Sequence, residues 1–467
     1  MALSGVLALA AVKDLIDVAR ATEAPRLDRI HEALKPRCGP GEYRVTVEIP
    51  KDAPPLMREL ARKSESNYLP LLVKTFAQVM KADGYYSKTD PAPAEDPWVW
   101  WQRNRMDSRQ TGLIRSALQY GVGYATVLPG TYGRDLPGPA ISLFSPREMT
   151  AVYRDPEADE WPLLAVGVDG EHVTLYDEEQ RYVFGIERAP DPRMVPPAWS
   201  TLVSLGRLTF ISVEAHGLGV CPIVRFRDRN LLAGEEQYGI VEPLMTIQER
   251  INEATFQGMV TDYFQAFKQR YVLGWIPKTE SEELKAGAAR IWYLDEDPNT
   301  VKVDQLDGGD SSAQLRSREA AIRDFSAIGQ VPAQSLGVDG ISNISDATLA
   351  GLEAAKNRES GEIKTSLGES GEQMLRLCAY IAGNEAAADD YSSELRWRDF
   401  EARSFATTVD GLGKLVTMLG LDPEIALEDV PGMTEPKLAR AREALRRAKD
   451  TSQSDMALLA SAIQRQA

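Results

Sequence analysis

Histidine, cysteine and clustered carboxylates carry most hydrolytic, redox and metal chemistry, and in this chain they are few and scattered. The three histidines, His31, His172 and His216, form no HExxH pattern, so a histidine metal centre is not expected. The three cysteines, Cys38, Cys221 and Cys378, are widely separated. They fit neither a CxxC knuckle nor a disulfide scaffold, and an odd, sparse count suits a reducing compartment. Gly121-Val122-Gly123 and Asp307-Gly308-Gly309-Asp310 match neither glycine-rich phosphate loop and read as turns. Asp177-Glu178-Glu179 and Asp295-Glu296-Asp297 lack the spaced oxygen ligands of a calcium loop and read as solvated turns. No GxSxG elbow presents a serine nucleophile. The residues therefore point to no enzyme, no metal and no cofactor.

A second set of residues has the chemistry to meet nucleic acid. Trp98 and Trp101 share a helix face while Trp100 points elsewhere, which suits either a base-stacking platform or a packing node between helix and sheet. Lys268, Arg270, Arg316, Arg318 and Arg323 either meet phosphates or form a solvated helix face. Lys437, Arg440, Arg442, Arg446, Arg447 and Lys449 outweigh Glu443 in one late helix. Three readings of that basic run stay open: DNA proximity, an acidic protein partner, or a merely soluble helix. The whole chain is acidic, with 53 Lys and Arg against 69 Asp and Glu, a formal charge of −16. That argues against a general nucleic-acid coat but not against a protein that surrounds DNA without gripping it.

The elements that position these residues follow from periodicity. A length of 467 residues suggests about three domains, and 43% apolar content suits a chain that folds. Met1 to Val12 is too short to span a bilayer and has no basic leader, and no later window reaches ~18 apolar residues, so no membrane segment is expected. Residues 6–35 read as helix that Pro25 can split, 43–49 as a strand, and 55 to about 82 as a helix that Pro70 kinks or splits. Residues 98–120 read as helix, followed by a strand at 124–128. Short strands with Asp-Pro and Asp-Gly turns fill 140–187, 189–207 is weakly patterned, and 223–226 is a further strand. Residues 241–271 read as a long amphipathic helix of about 30 residues, ~45 Å. A small insertion at 272–310 contains strand-like 290–294 and 301–303. Ser311 or Ser312 is the expected N-cap of a helix over 313–328. Residues 333–345 read as a loop without apolar pattern. A very long helix follows over 346–382, interrupted by Gly351, Gly361, Gly368 and Gly371, which allow bends or close packing. Helices near 403–419 and 434–449 complete an α+β, helix-rich chain with a polar tail.

Several fragments, in this order, resemble one family. They are Asn67-Tyr68-Leu69-Pro70-Leu71-Leu72-Val73, Asp83-Gly84-Tyr85, Trp101-Gln102-Arg103-Asn104-Arg105-Met106-Asp107 and Ala117-Leu118-Gln119-Tyr120-Gly121. Then come Tyr238-Gly239-Ile240-Val241-Glu242-Pro243-Leu244, Gln248-Glu249-Arg250-Ile251-Asn252, Pro332-Ala333-Gln334-Ser335-Leu336-Gly337 and Trp397-Arg398-Asp399. The chain resembles the portal proteins of tailed double-stranded DNA bacteriophages, SPP1 type, in an actinophage-like branch, over roughly residues 60–440.

The resemblance implies a homo-oligomeric ring of about twelve subunits, a dodecamer, at one unique capsid vertex of the virion, assembled in the host cytoplasm. Its DNA channel would serve viral genome packaging and ejection, holding double-stranded DNA non-specifically. The terminase large subunit, the major capsid or scaffold proteins and a head-completion adaptor at the head–tail connector would be its partners. It implies a wing over 1–235, a first stem helix over 236–271, a clip over 272–310 and a second stem helix over 311–330. A tunnel loop over 331–346, a long wing helix and return over 347–402, and a small C-terminal wing and crown over 403–467 complete it. On that plan Gln334, Ser335, Val338, Asp339, Gly340, Ser342 and Asn343 would face DNA. Lys268, Arg270, Arg316, Arg318 and Arg323 would face phosphates from the stem, Ile291, Trp292 and Tyr293 would form a clip interface, and the 437–449 helix would belong to the crown. The alternative is a scaffold or minor head protein without a channel.

Overall fold

Buried polar side chains and unusual backbone geometry, more than hydrophobic periodicity, decide where this chain bends. The computed structural model describes residues 3–35, 47, 49–87, 96–132, 136–169, 171–187, 208–232, 234–266, 270–274, 300–305, 311–338, 346–398, 405–427, 430, 433 and 437–448. Along the chain run α1 (Gly5–Thr22), α2 (Ala24–Leu34), α3 (Pro55–Lys63), α4 (Leu69–Gln78) and β1 (Ala82–Tyr86). Next are α5 (Trp98–Arg103), α6 (Met106–Tyr120), β2 (Val122–Tyr132), β3 (Leu136–Phe144) and β4 (Met149–Val152). β5 (Leu164–Val168), β6 (His172–Tyr176), β7 (Gln180–Ile186), β8 (Leu208–Ala215) and β9 (Ile223–Arg227) follow. The second half comprises α7 (Met245–Ala266), β10 (Arg270–Leu273), β11 (Lys302–Gln305), α8 (Ser312–Ile328) and α9 (Asp346–Ile381). It ends with α10 (Glu385–Ala388), β12 (Glu394–Trp397), α11 (Phe405–Leu419), α12 (Pro423–Ala426) and a helical stretch over 437–448. The class is α+β and helix-rich, as expected.

The chain divides into two units, one of residues 1–30, 73–240 and 342–467, the other of residues 31–72 and 241–341. The first unit is built on antiparallel sheets. β4-β5-β6-β7-β8 form a five-stranded meander, β3-β2-β9 a three-stranded sheet, and β1 pairs with β12. A core of Tyr124, Met149, Ala165, Tyr176, Cys221 and Ile223 joins residues of the two larger sheets. Pro129 lies in the part of β2 that pairs with β3 alone, beyond the β9 register of residues 122–126, where a missing amide is tolerated. Asp177, expected in a solvated turn, is buried and caps that turn by accepting from Glu179 N (2.8 Å) and Gln180 N (2.6 Å). His216 Nε2 lies 3.1 Å from Asp177 O, and His216 Nδ1 accepts from Leu218 N.

Several expected helices are shorter than their patterns. The 6–35 helix splits after Thr22, with Pro25 at the second position of α2, where proline lacks no helical bond. The 55–82 helix breaks at 64–68 rather than at Pro70, which sits in the first turn of α4, and its expected end is instead strand β1. The 98–120 helix is cut at Asn104-Arg105, where Arg105 has φ 56°. Trp101 is 3% exposed, stacks on Trp98 at 4.9 Å and donates to Asp107, so this aromatic group is a packing node. The 241–271 helix stops at Ala266, and Arg270 lies in β10. β8 escaped the sequence reading because its alternation slips at Phe210-Ile211, where the register with β7 also shifts, and most of it is exposed. Of the four glycines in α9, Gly371 admits β12: a Cβ there would stand 2.9 Å from Leu395 Cδ2.

Backbone approaches backbone closely at Gly239. A Cβ there would stand 2.7 Å from the Gln119 carbonyl carbon, where Ile240 N donates to Leu118 O at 2.9 Å. Gly258 in α7 would meet only Gln314 Cβ at 3.6 Å, an ordinary contact. G239A should destabilise the chain by at least about 1–3 kcal/mol, whereas G258A should be neutral or stabilise by about 0.5–1 kcal/mol. Urea unfolding of the two variants checks the contrast.

Candidate functional site

The second unit contains the helices and turn on which the expected channel residues lie. α7 leads into β10, β11 pairs with β10 in register Arg270↔Gln305 to Leu273↔Lys302, and α8 returns. The two helices pack antiparallel: Arg250 bridges to Asp324 at 3.1 Å, Arg318 Nε donates to Thr255 Oγ1 at 3.2 Å, and Gly258 lies opposite Gln314. Ile247, Ile251 and Ala254 of α7 and Ala321, Ile322 and Phe325 of α8 are buried, the 3- and 4-residue spacing of an apolar seam.

The irregular segment 64–68 between α3 and α4 is held by two carboxamides one turn apart on α7. Gln248 Oε1 accepts from Tyr68 N (2.8 Å), and its Nε2 donates to Ser66 O (2.7 Å) and to Asn252 Oδ1 (3.0 Å). Asn252 Oδ1 also accepts from Ser66 N at 3.1 Å. Gln248 is 5% and Asn252 2% exposed, so these groups find no water in place of one another. Tyr68 continues the junction: Arg318 Nη2 donates to its hydroxyl at 3.2 Å, and its ring lies 6.0 Å from Phe325. Two sequence fragments that looked like family signatures, 67–73 and 248–252, are thus two sides of one packed joint.

The expected phosphate-facing residues separate. Arg318 is half-buried and committed to Tyr68 and Thr255. Arg316 is exposed and turns back on Ser312, and exposed Arg323 lies 3.9 Å from Glu319. Ser311 takes the N-cap position but makes no side-chain cap bond. Lys268 and the clip residues Ile291, Trp292 and Tyr293 lie outside the described residues. The expected loop begins as ordered structure: Ala333–Leu336 is a 3-10 turn, Gly337 has φ 81°, and Leu336 and Val338 are 5% and 7% exposed. Gln334 Oε1 is buried without a hydrogen-bond partner among the described residues, while Ser335 is exposed. Asp339, Gly340, Ser342 and Asn343 lie outside the described residues. In the first unit, 437–448 is helical with Lys437, Arg440, Arg446 and Arg447 exposed. Arg446 reaches Glu424 at 3.4 Å and Arg447 pairs with Glu443. Lys449 lies outside the described residues.

Sequence reasoning missed a buried knot in the first unit. Asp228, fully buried, accepts from Gln237 Nε2 (2.7 Å) and from Arg229 Nη2 (3.1 Å). Arg229 also lies 3.7 Å from Glu359 of α9 and over the Tyr238 ring. Burial pushes the Asp228 carboxyl up to about 7 against the pull of Arg229. Gln237 donates to Gly121 O and Arg26 to both Tyr120 O and Gln237 O, fixing residues 237–240 beside the end of α6. Asp228 and Gln237 stand beside a recognised fragment without belonging to one, so spacing gave no signal for them.

Among the described residues no cluster of His, Cys, Asp or Glu could hold a metal ion, and no helix is long and apolar enough to cross a membrane. A family model described as phage portal protein, SPP1 Gp6-like, matches residues 21–456. No curated protein matches the chain. Among solved structures, a chain in the virion of a native gene transfer agent particle is 15% identical with a TM-score of 0.45, covering 79% of this chain and 90% of that chain. Chains from the neck of the empty particle, computed with C6 symmetry, and of the native particle, computed with C12 symmetry, are also 15% identical with a TM-score of 0.45. They cover 80% and 79% of this chain, and 90% of each of those chains is covered.

Gln248→Ala should cost about 1–3 kcal/mol by leaving Ser66 O and Tyr68 N unsatisfied. Asn252→Ala should cost a similar amount, and the double variant less than the sum because the two share Ser66. Chemical denaturation gives the energies, and limited proteolysis should gain a cut within 64–68.

Proposed function

The chain belongs to the phage portal protein family, SPP1 Gp6-like, and from that premise we propose that it forms a closed ring at one capsid vertex through which double-stranded DNA is packaged and ejected. The family match over residues 21–456 carries this reading. In it, α7 and α8 are the stem, the insertion 272–310 is the clip, residues 331–346 are the tunnel loop, and the sheets with α9 are the wing. The actinophage-like branch belongs to the proposal too. Terminase would dock during filling and a head-completion adaptor afterwards, while ATP hydrolysis would belong to terminase. Arg316 and Arg323, exposed on α8, would meet phosphates from the stem together with Lys268 and Arg270. Few neutralised phosphates and an overall charge of −16 favour a channel that does not grip its cargo.

Native mass spectrometry of the purified chain should find closed assemblies of about 12 copies, on the order of 600 kDa from 51.5 kDa subunits. End-on particle images should show a central hole. A monomer under all assembly conditions, capsid-bound protein included, overturns the ring.

The loop carries a second test. Replacing residues 339–343 with a shorter Gly-Ser segment should leave ring assembly intact and reduce retention of packaged DNA. Parental levels of full-length packaged DNA would remove the loop from the mechanism.

A further inference from the structure

A cavity of about 300 Å³ opens in the first unit between β9, α9 and the turn 153–160. Arg225 and Arg227 project into it from alternate positions on β9, hence from one face of the strand. α9 fixes that strand's backbone: Ser370 Oγ donates to Arg225 O and Ser366 Oγ to Arg227 O, each at 2.9 Å. α9 also fixes the opposite wall, where Gln373 Nε2 donates to Glu160 O (2.8 Å) and Arg376 pairs with Glu160 (3.0 Å). The walls are therefore set before anything enters.

The charges within this frame are unevenly matched. Arg376 and Glu160 neutralise each other, and Arg376 also lies over the Tyr391 ring at 4.4 Å. Arg225 lies over the Tyr153 ring at 3.9 Å and donates to Pro156 O at 2.5 Å; Arg227 donates to the same oxygen at 3.3 Å. Two guanidinium groups thus share one neutral acceptor, and among the described residues neither forms an ion pair with a carboxylate. Burial lowers the Arg227 pKa, and the neighbouring Arg225 charge lowers it further. Asp159 accepts from Asp155 N. Glu157 and Glu369, the remaining acids of the lining, are what an incoming anion must contend with.

We propose that this cavity is an oxyanion site, in which the Arg225 and Arg227 guanidinium groups together bind a phosphate or carboxylate group. Planar guanidinium groups present paired donors that match two oxygens of one anion. The occupant is either a free phosphate or an acidic side chain of a second copy of this chain. Only the second source rests on the ring.

Inorganic phosphate titrated into the purified full-length chain, followed by phosphorus NMR, tests the site. Saturable binding is expected. R225Q and R227Q should each weaken it at least about tenfold, the loss of a charge-assisted bond, while circular dichroism stays native. E157Q should strengthen it, an effect that general damage to the fold does not produce. No binding by the dissociated parent chain, equal affinity in the R225Q/R227Q double variant, or an affinity that E157Q leaves unchanged or lower overturns the proposal. Weaker binding to assembled than to dissociated protein identifies the second copy's carboxylate as occupant, and equal binding identifies a free anion.

Discussion

The backbone between α3 and α4 has neither helix nor sheet to bond it, and Gln248 and Asn252 on α7 supply the missing partners. A buried amide or carbonyl without a partner loses the free energy of its lost water. Those two side chains therefore decide where residues 64–68 rest against α7. Tyr68, held in turn, gives Arg318 its acceptor and Phe325 an aromatic neighbour. The position of α8 against α7 follows from the same joint, because Arg318 also donates to Thr255.

The first unit uses the same device with charge added. Asp228, Arg229 and Gln237 tie the end of β9 to Gly121, Tyr238 and Glu359. Gly239 lets the chain pass against Leu118 and Gln119. A buried ionic group of this sort adds little net stability compared with apolar packing, but breaking one partner leaves an uncompensated charge. Such a knot favours one route of the chain over others.

Other polar side chains join elements in the same way: buried Gln110 accepts from Ala82 N and donates to Ala82 O, and half-buried Asn104 accepts from Ile141 N and donates to Pro139 O. These contacts hold elements together.

Periodicity alone identified α9 almost residue for residue, placed α7 and α8 about a small insertion, and gave the α+β class, because long apolar stripes have only one efficient burial. The ordered fragments gave the family as well. Periodicity could not see the breaks. Arg105 leaves helix with φ 56°, and the 64–68 gap opens because carboxamides some 180 residues away satisfy it. Nor could it divide the arginines of α8: Arg316, Arg318 and Arg323 share one composition, yet only Arg318 meets Tyr68 and Thr255. The sequence by itself determined which segments bury an apolar stripe. Which polar groups face one another, and so which charges remain for a partner, was decided by tertiary structure, since a hydrogen bond depends on distances that only the folded chain sets.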